Sequence, residues 1–238
     1  MKKLFWFCGG YPSLDASNEI IAAYMAGGCD GIEWTIPPNN PYKEQEHLQD
    51  RVRKARQNCS DYKKHLEQIS NFKKKYPQAE VFPAVYEETV QEIGVDPLAH
   101  FCKDNDITAL FLIGDFDEAL IQSMKRYKLN LAISVTYYFT EEEIQRVKQN
   151  SGFVYLQAFP YKAEIEAGFN TERLQFCITS LRKMGISRPI YCAKGIKKPQ
   201  DIKLISDAGA DGYILGSNLM DLFDNLQVLT DEVKKYPK

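Results

Sequence analysis

The stretch that decides the fold is Gly28-Cys29-Asp30-Gly31-Ile32-Glu33-Trp34-Thr35-Ile36. Its glycines close one amphipathic pattern, Ala16–Ala26, and open a short apolar run, Gly31–Ile36. A left-handed glycine is a common way to stop a helix. The run itself is too short for a helix and rich in β-branched and aromatic residues, which reads as a strand buried on both faces. A near copy, Gly209-Ala210-Asp211-Gly212-Tyr213, stands close to the other end of the chain, and Asn105-Asp106-Ile107-Thr108-Ala109 is a looser version. One helix-to-strand connection used again and again marks a fold assembled from equivalent strand–helix units. Independent use of a common turn gives the same text.

Working outward, the same alternation continues from end to end. The apolar runs are Leu4–Cys8, Gly31–Ile36, Val81–Val85, Ala109–Ile113, Leu131–Val135, Phe153–Leu156, Pro189–Cys192 and Gly212–Leu215. Helical patterns follow them at Ala16–Ala26, His47–Lys75, Pro97–Asn105, Phe116–Tyr127, Glu141–Gln149, Thr171–Met184, Pro199–Ala208 and Asn218–Tyr236. Thr140 with Glu143 has the spacing of a capping box, and Pro199 suits a first helical position. Eight strands, each followed by a helix, predict an α/β fold of the (β/α)8 TIM-barrel type spanning residues 1–238 as a single domain. A doubly wound open sheet shares the alternation, so closure rests on the repeated connection.

Composition narrows the function. The chain has 238 residues, 44% of them hydrophobic and 26% charged, with a formal net charge of −2. That is a globular composition without the basic surface of a nucleic-acid binder. The six cysteines are scattered, with no Cys-x-x-Cys pair, and read as reduced thiols buried as small hydrophobes. The opening Met1-Lys2-Lys3-Leu4-Phe5-Trp6-Phe7-Cys8 starts like a signal peptide, but its apolar run stops after about five residues, short of the roughly 7–15 a signal needs. No stretch reaches the ~18 apolar residues of a membrane span. The expectation is a cytoplasmic protein with no nucleic-acid or membrane partner.

In a (β/α)8 barrel the chemistry sits at the C-terminal ends of the strands. Glu33 lies inside an apolar strand, where a carboxylate points into the barrel mouth as an acid–base group or is paired in the interior. Asp115 ends strand 4 after Gly114, as a ligand group or as the N-cap of the helix near Phe116. Tyr86 and Tyr155 could hydrogen-bond a ligand or belong to the core. Lys194 follows strand 7 and could act as a Schiff-base amine or a phosphate contact. Gly195 and Gly216-Ser217 close strands 7 and 8, the place where glycine-rich loops form a phosphate cradle. Turns with a purely structural purpose read the same way. His47, His65 and His100 fall on helices, so neither a zinc site nor a Cys–His pair suggests itself.

These landmarks resemble the tryptophan synthase α subunit family. Gly9-Gly10-Tyr11-Pro12 stands at its first strand-end loop, and Ala26 through Pro37 is similar to the segment around its catalytic glutamate. Tyr86 through Asp96 resembles the stretch after strand 3, and Asp207 through Gly212 with Gly216-Ser217 resembles the approach to its phosphate site. The resemblance implies a retro-aldol cleavage of indole-3-glycerol phosphate to indole and glyceraldehyde 3-phosphate, with no metal and no cofactor. It implies Glu33 as the acid–base group, Glu44 as the second carboxylate and Tyr155 beside them. Gly195, Gly216 and Ser217 fall on its phosphate ligands, Tyr86 and Asp115 join the substrate contacts, and a β-subunit-like partner is implied.

The chain also departs from the family pattern. Pro37-Pro38-Asn39-Asn40-Pro41 replaces a loop that normally carries an acid, Glu44 is one methylene longer than the usual Asp, and Ala158-Phe159-Pro160-Tyr161-Lys162 replaces a glycine-rich loop. Two alternatives therefore stand beside the lyase. One is a non-catalytic barrel that binds or regulates a partner enzyme. The other is a phosphosugar isomerase or epimerase using Lys194 with Asp115. The aromatic residues Trp34, Phe82, Tyr138 and Phe159 are the expected pocket lining.

Overall fold

The computed structural model describes residues 1–238, and its eight strands close on themselves in chain order. They are β1 (Lys2–Cys8), β2 (Gly31–Thr35), β3 (Glu80–Val85), β4 (Leu110–Leu112), β5 (Leu131–Val135), β6 (Val154–Gln157), β7 (Ile190–Ala193) and β8 (Gly212–Leu215). Every neighbouring pair is parallel, and β8 pairs back onto β1 through Lys2–Gly212 to Phe5–Leu215. The fold is thus a (β/α)8 TIM barrel, and the open-sheet alternative falls.

The two copied connections are structurally equivalent. Gly28 and Gly209 both end a helix at positive φ, +86° and +88°. Each copy then opens a strand on a second glycine that lies against the first residue of the neighbouring strand. A Cβ at Gly31 would stand 2.5 Å from the Glu80 carbonyl, and one at Gly212 would stand 2.7 Å from the Lys2 carbonyl. Asp106, at φ +50°, takes the left-handed position in the looser copy, a conformation that Asp tolerates better than most residues.

The helices are α1 (Leu14–Ala26), α2 (Glu46–Asn58), α3 (Tyr62–Lys75), α4 (Glu87–Ile93), α5 (Val95–Asp104), α6 (Glu118–Arg126), α7 (Glu141–Gln149), α8 (Lys162–Glu166), α9 (Glu172–Lys183), α10 (Asp201–Asp207) and α11 (Leu226–Lys235). The single pattern expected over His47–Lys75 is two helices. The break falls at Cys59-Ser60-Asp61, where the Asp61 carboxylate accepts from the Lys63 N–H at 2.9 Å and starts α3. The expected Asn218–Tyr236 helix is likewise a 3-10 turn, Ser217–Leu222, followed by α11. Pro199 precedes α10, whose first residue is Asp201. The helix after β4 is capped by Asp117, which accepts from Ala119 and Leu120, so Asp115 is not the cap. The Thr140–Glu143 capping box is present at α7.

The barrel interior is aromatic. Phe82 lies 4.7 Å from Phe153 and 5.7 Å from Tyr191, ring centre to ring centre, and Phe111 stacks on Tyr155 at 4.3 Å. Below them Glu80 accepts from Tyr191 Oη at 3.1 Å and pairs with Lys2 at 2.7 Å. These rings fill the barrel centre, leaving open space at the C-terminal ends of the strands. All six cysteines are free and buried. No helix is long and apolar enough to cross a membrane.

Candidate active site

Strand register places the first functional group. Glu33 pairs with Trp6 on β1 and Phe82 on β3, so the three side chains share one face of the sheet, the inward one. Trp6 is held by a hydrogen bond from its indole Nε1 to Thr35 Oγ1, 2.8 Å. Above this level lies a cavity of about 450 Å³, walled by the ends of β1, β2, β4, β5, β6, β7 and β8 and by the segment before α2. A cavity of that size takes a small-molecule ligand.

Glu33 is 2% exposed, and its Oε2 has no hydrogen-bond partner. A buried, unpartnered carboxylate oxygen is costly, and it is found where a ligand or a proton is to be met. Burial, reinforced by the charge of Glu44 and opposed by Lys194, pushes its pKa up to about 8. It therefore carries a proton at neutral pH, as a general acid must.

Glu44 reaches the same cavity from the loop between β2 and α2, so the two carboxylates face one space. Its backbone N–H closes a turn on the Pro41 carbonyl at 3.0 Å, and Tyr86 Oη donates to its Oε1 at 3.1 Å. Burial raises its pKa as well, while the Tyr86 hydrogen bond and Lys194 pull it back. Two carboxyls in one cavity thus meet different surroundings, one without a donor and one with a donor and a cation. That is the arrangement that separates an acid from a base.

The other expected site residues divide. Tyr155 lines the cavity, and the nearby Glu33 and Glu44 charges add to burial in raising its pKa. Gly195, Gly216 and Ser217 line it on the β7–β8 side. Gly216 has a packing reason of its own, since a Cβ there would stand 2.6 Å from Trp6 Cβ. Tyr86 is absent from the wall: it is 1% exposed and stands behind Glu44 as its support rather than as a ligand contact. Asp115 is on the rim, paired with Lys43 at 3.2 Å, so the Lys194–Asp115 pair of the isomerase alternative is not formed. Lys194 projects into the cavity from the end of β7.

The expected aromatic lining is corrected. Trp34 faces outward against Phe7 and Phe72, Phe82 lies in the barrel floor, and Tyr138 and Phe159 are off the wall. Trp6, Phe111 and Tyr161 take those places, and Arg146 of α7 adds a cation that no carboxylate pairs. One signal was available: strand neighbours point to opposite sides, so an inward Glu33 already sends Trp34 outward. The altered loop Pro37–Pro41 is pinned by the unexpected α4. Asn39 Nδ2 donates to Glu92 Oε1 at 3.0 Å, and the Asn40 N–H donates to Glu88 Oε1 at 3.1 Å.

A closed (β/α)8 barrel with two carboxylates of unlike environment in an aromatic-walled mouth is the framework of an acid–base enzyme acting on a small molecule. Residues 4–236 match the family model of the tryptophan synthase alpha chain. The chain belongs to the tryptophan synthase alpha chain family. The tryptophan synthase alpha chain of Histophilus somni (strain 2336) is 25% identical over 228 residues, covering 94% of this chain and 83% of that protein. Among solved structures, tryptophan synthase subunit alpha from Campylobacter jejuni superposes with a TM-score of 0.81 at 23% identity, over 99% of this chain and 95% of that one. The tryptophan synthase complex from Pyrococcus furiosus gives 0.80 at 15% identity, over 98% and 96%. At these identities the structural likeness speaks for the fold.

Proposed function

We propose that the chain is a carbon–carbon lyase that cleaves indole-3-glycerol phosphate, or a close aryl glycerol phosphate, to indole and glyceraldehyde 3-phosphate. The observation that carries this reading is the meeting of Glu33 and Glu44 in one cavity that Gly195, Gly216 and Ser217 border.

The reaction needs a proton delivered to the indole carbon that bears the side chain, and a proton removed from the adjacent hydroxyl as the bond breaks. Glu33 does both in that order. It is protonated at neutral pH, gives its proton to the ring, and as a carboxylate takes the hydroxyl proton, ending as it began. Glu44 accepts the ring N–H, whose acidity rises when the ring is protonated. Trp6, Phe111 and Tyr155 supply aromatic faces for a planar ring. The β7–β8 glycines and Ser217 receive the phosphate, with Arg146 lining the same cavity as a cation free of an ion pair.

Family membership supports two further parts of the reading. The Pyrococcus furiosus relative was solved as a tryptophan synthase complex, and a β-subunit-like partner is proposed here on that ground. Six free, buried thiols fit a reducing compartment, and the cytoplasm is the proposed location.

The test is indole release from indole-3-glycerol phosphate by the purified chain, alone and with a tryptophan synthase β subunit. Glu33→Gln is expected to lose about 10²–10⁴-fold in rate with ligand binding nearly intact. Comparable turnover in that variant would remove Glu33 from the chemistry. Silence of the unsubstituted chain in both conditions, with a phosphate ligand bound, would favour the non-catalytic barrel.

A further inference from the structure

Lys194 enters the proton-transfer scheme only as a nearby charge. Its backbone is left-handed, φ +65°, which costs an ordinary residue about 1–2 kcal/mol. Strain of this kind persists where the surrounding structure enforces it, and it gathers at functional sites. The conformation turns the side chain from the end of β7 into the mouth. There Nζ lies 5.6 Å from the centre of the Tyr155 ring, and no carboxylate comes within 4 Å to form an ion pair. Four acids face it from farther off: Glu33 of β2, Glu44 of the loop before α2, Glu164 of α8 and Glu143 of α7. Crowding by protein atoms outweighs their attraction and lowers the amine's pKa, although the side chain remains open to the cavity.

We propose that Lys194 is an imine-forming amine that captures short phosphorylated aldehydes and ketones in the barrel mouth. An unpaired lysine beside an aromatic ring, in a cavity with a protonated carboxyl, has the parts that such chemistry requires. The free amine adds to the carbonyl carbon, and a proton passes from the new ammonium nitrogen to the carbonyl oxygen to give a neutral carbinolamine. The hydroxyl then leaves as water with a second proton, from Glu33 in its protonated form, and the nitrogen lone pair closes the C=N bond. Loss of the N–H proton to a neighbouring carboxylate leaves a neutral imine. Amine and carbonyl give imine and water, with no oxidant or reductant. The choice of a three-carbon phosphorylated aldehyde rests on the lyase reading, which releases one into this cavity. The reactivity of the amine does not.

The experiment is trapping by borohydride. The 238-residue chain is incubated separately with glyceraldehyde 3-phosphate and with dihydroxyacetone phosphate, reduced, digested and mapped by mass spectrometry. The reduced adduct is expected on Lys194, enriched about tenfold or more over exposed lysines such as Lys162 and Lys203, a modest demand on an orienting pocket. Mapping the unsubstituted chain needs no variant to fold. Lys194→Arg and Lys194→Met are expected to lose the enriched adduct. Label spread over the exposed lysines, with Lys194 no richer than they are, overturns the proposal. Indole release measured on the same preparation separates the two readings: release without trapping overturns the lysine's role alone, and trapping without release supports the lysine while overturning the lyase.

Discussion

Replacing Glu33 with glutamine changes how stability depends on pH, and the size of the change follows from its burial. Unfolded, the carboxyl releases its proton near the ordinary 4.5, and folded it keeps the proton up to about 8. Between those values the native state holds a proton that the unfolded state has lost, so stability falls as pH rises. Each pH unit inside the window costs about 1.4 kcal/mol, and from pH 5 to pH 7.5 the loss comes to about 3 kcal/mol. Below 4.5 both states are protonated, and above 8 both are ionised, so the contribution is flat at either end. The side chain is buried, and solvent does little to dilute the effect. The amide of the glutamine variant has no such proton to lose. Urea unfolding of both proteins at half-unit steps from pH 4.5 to 8.5 isolates the contribution, because groups that do not feel the Glu33 charge cancel in the difference. The variant is expected to gain on the parent by about 3 kcal/mol between pH 5 and pH 7.5. The midpoint belongs to the cluster of Glu33, Glu44 and Lys194 rather than to one group. In the proposed mechanism the same ionisation ends the supply of the catalytic proton, so kcat/KM of the parent should fall on the alkaline side near pH 8. Stability curves that run parallel, within about 0.5 kcal/mol across the window, would show that Glu33 is not held protonated by burial and would refute the assignment.

Two other perturbations probe the groups around it. Tyr86→Phe removes the donor to Glu44 Oε1, so the Glu44 pKa should rise further and the acid limb of the rate profile should move to higher pH, with up to about tenfold lost in kcat/KM; an unmoved limb would show that Tyr86 does not set the charge of Glu44. Gly216→Ala places a methyl 2.6 Å from Trp6 Cβ. It is expected to cost about 1–3 kcal/mol in urea unfolding and to weaken phosphate-ligand binding by calorimetry, and unchanged values in both would show that β8 and Trp6 have room to spare.

The strands were readable because runs buried on both faces stand out against charged helices, and all eight are found within about two residues of the expected bounds. What sequence missed has a physical origin. The pattern over His47–Lys75 stays amphipathic across the Cys59-Ser60-Asp61 break, so periodicity passes straight through it, and only the Asp61 cap marks the new start. β1 begins two residues early because Lys3 is buried with its amine donating to the Gly27 carbonyl at 3.0 Å, a role composition cannot show. The pocket rings were harder still. A strand that is apolar on both faces has no alternation to reveal which residues point inward, so Trp6 and Phe111 could not be told from Phe7 and Leu110. Glu33 escaped that limit because a carboxylate in an apolar run announces its own placement.

Glu44 lay beyond pattern altogether, because a loop residue carries no periodicity. Its position follows from contacts distant in sequence: the Pro41 turn, the edge-on packing of Tyr42 on Tyr86 at 5.7 Å, and the acceptance by Tyr42 Oη of the Asp115 N–H at 3.1 Å. These tie the loop before α2 to the ends of β3 and β4 and bring its carboxylate over the barrel. These contacts hold the Glu44 side chain where the two carboxylates share one space. Their chemical difference follows from the same contacts. Glu44 has Tyr86 to stabilise its charge and Glu33 has no donor at Oε2, so the first proton leaves Glu44 and the last stays on Glu33. In the proposed mechanism, acid and base are thus assigned by the scaffold around two residues of one type.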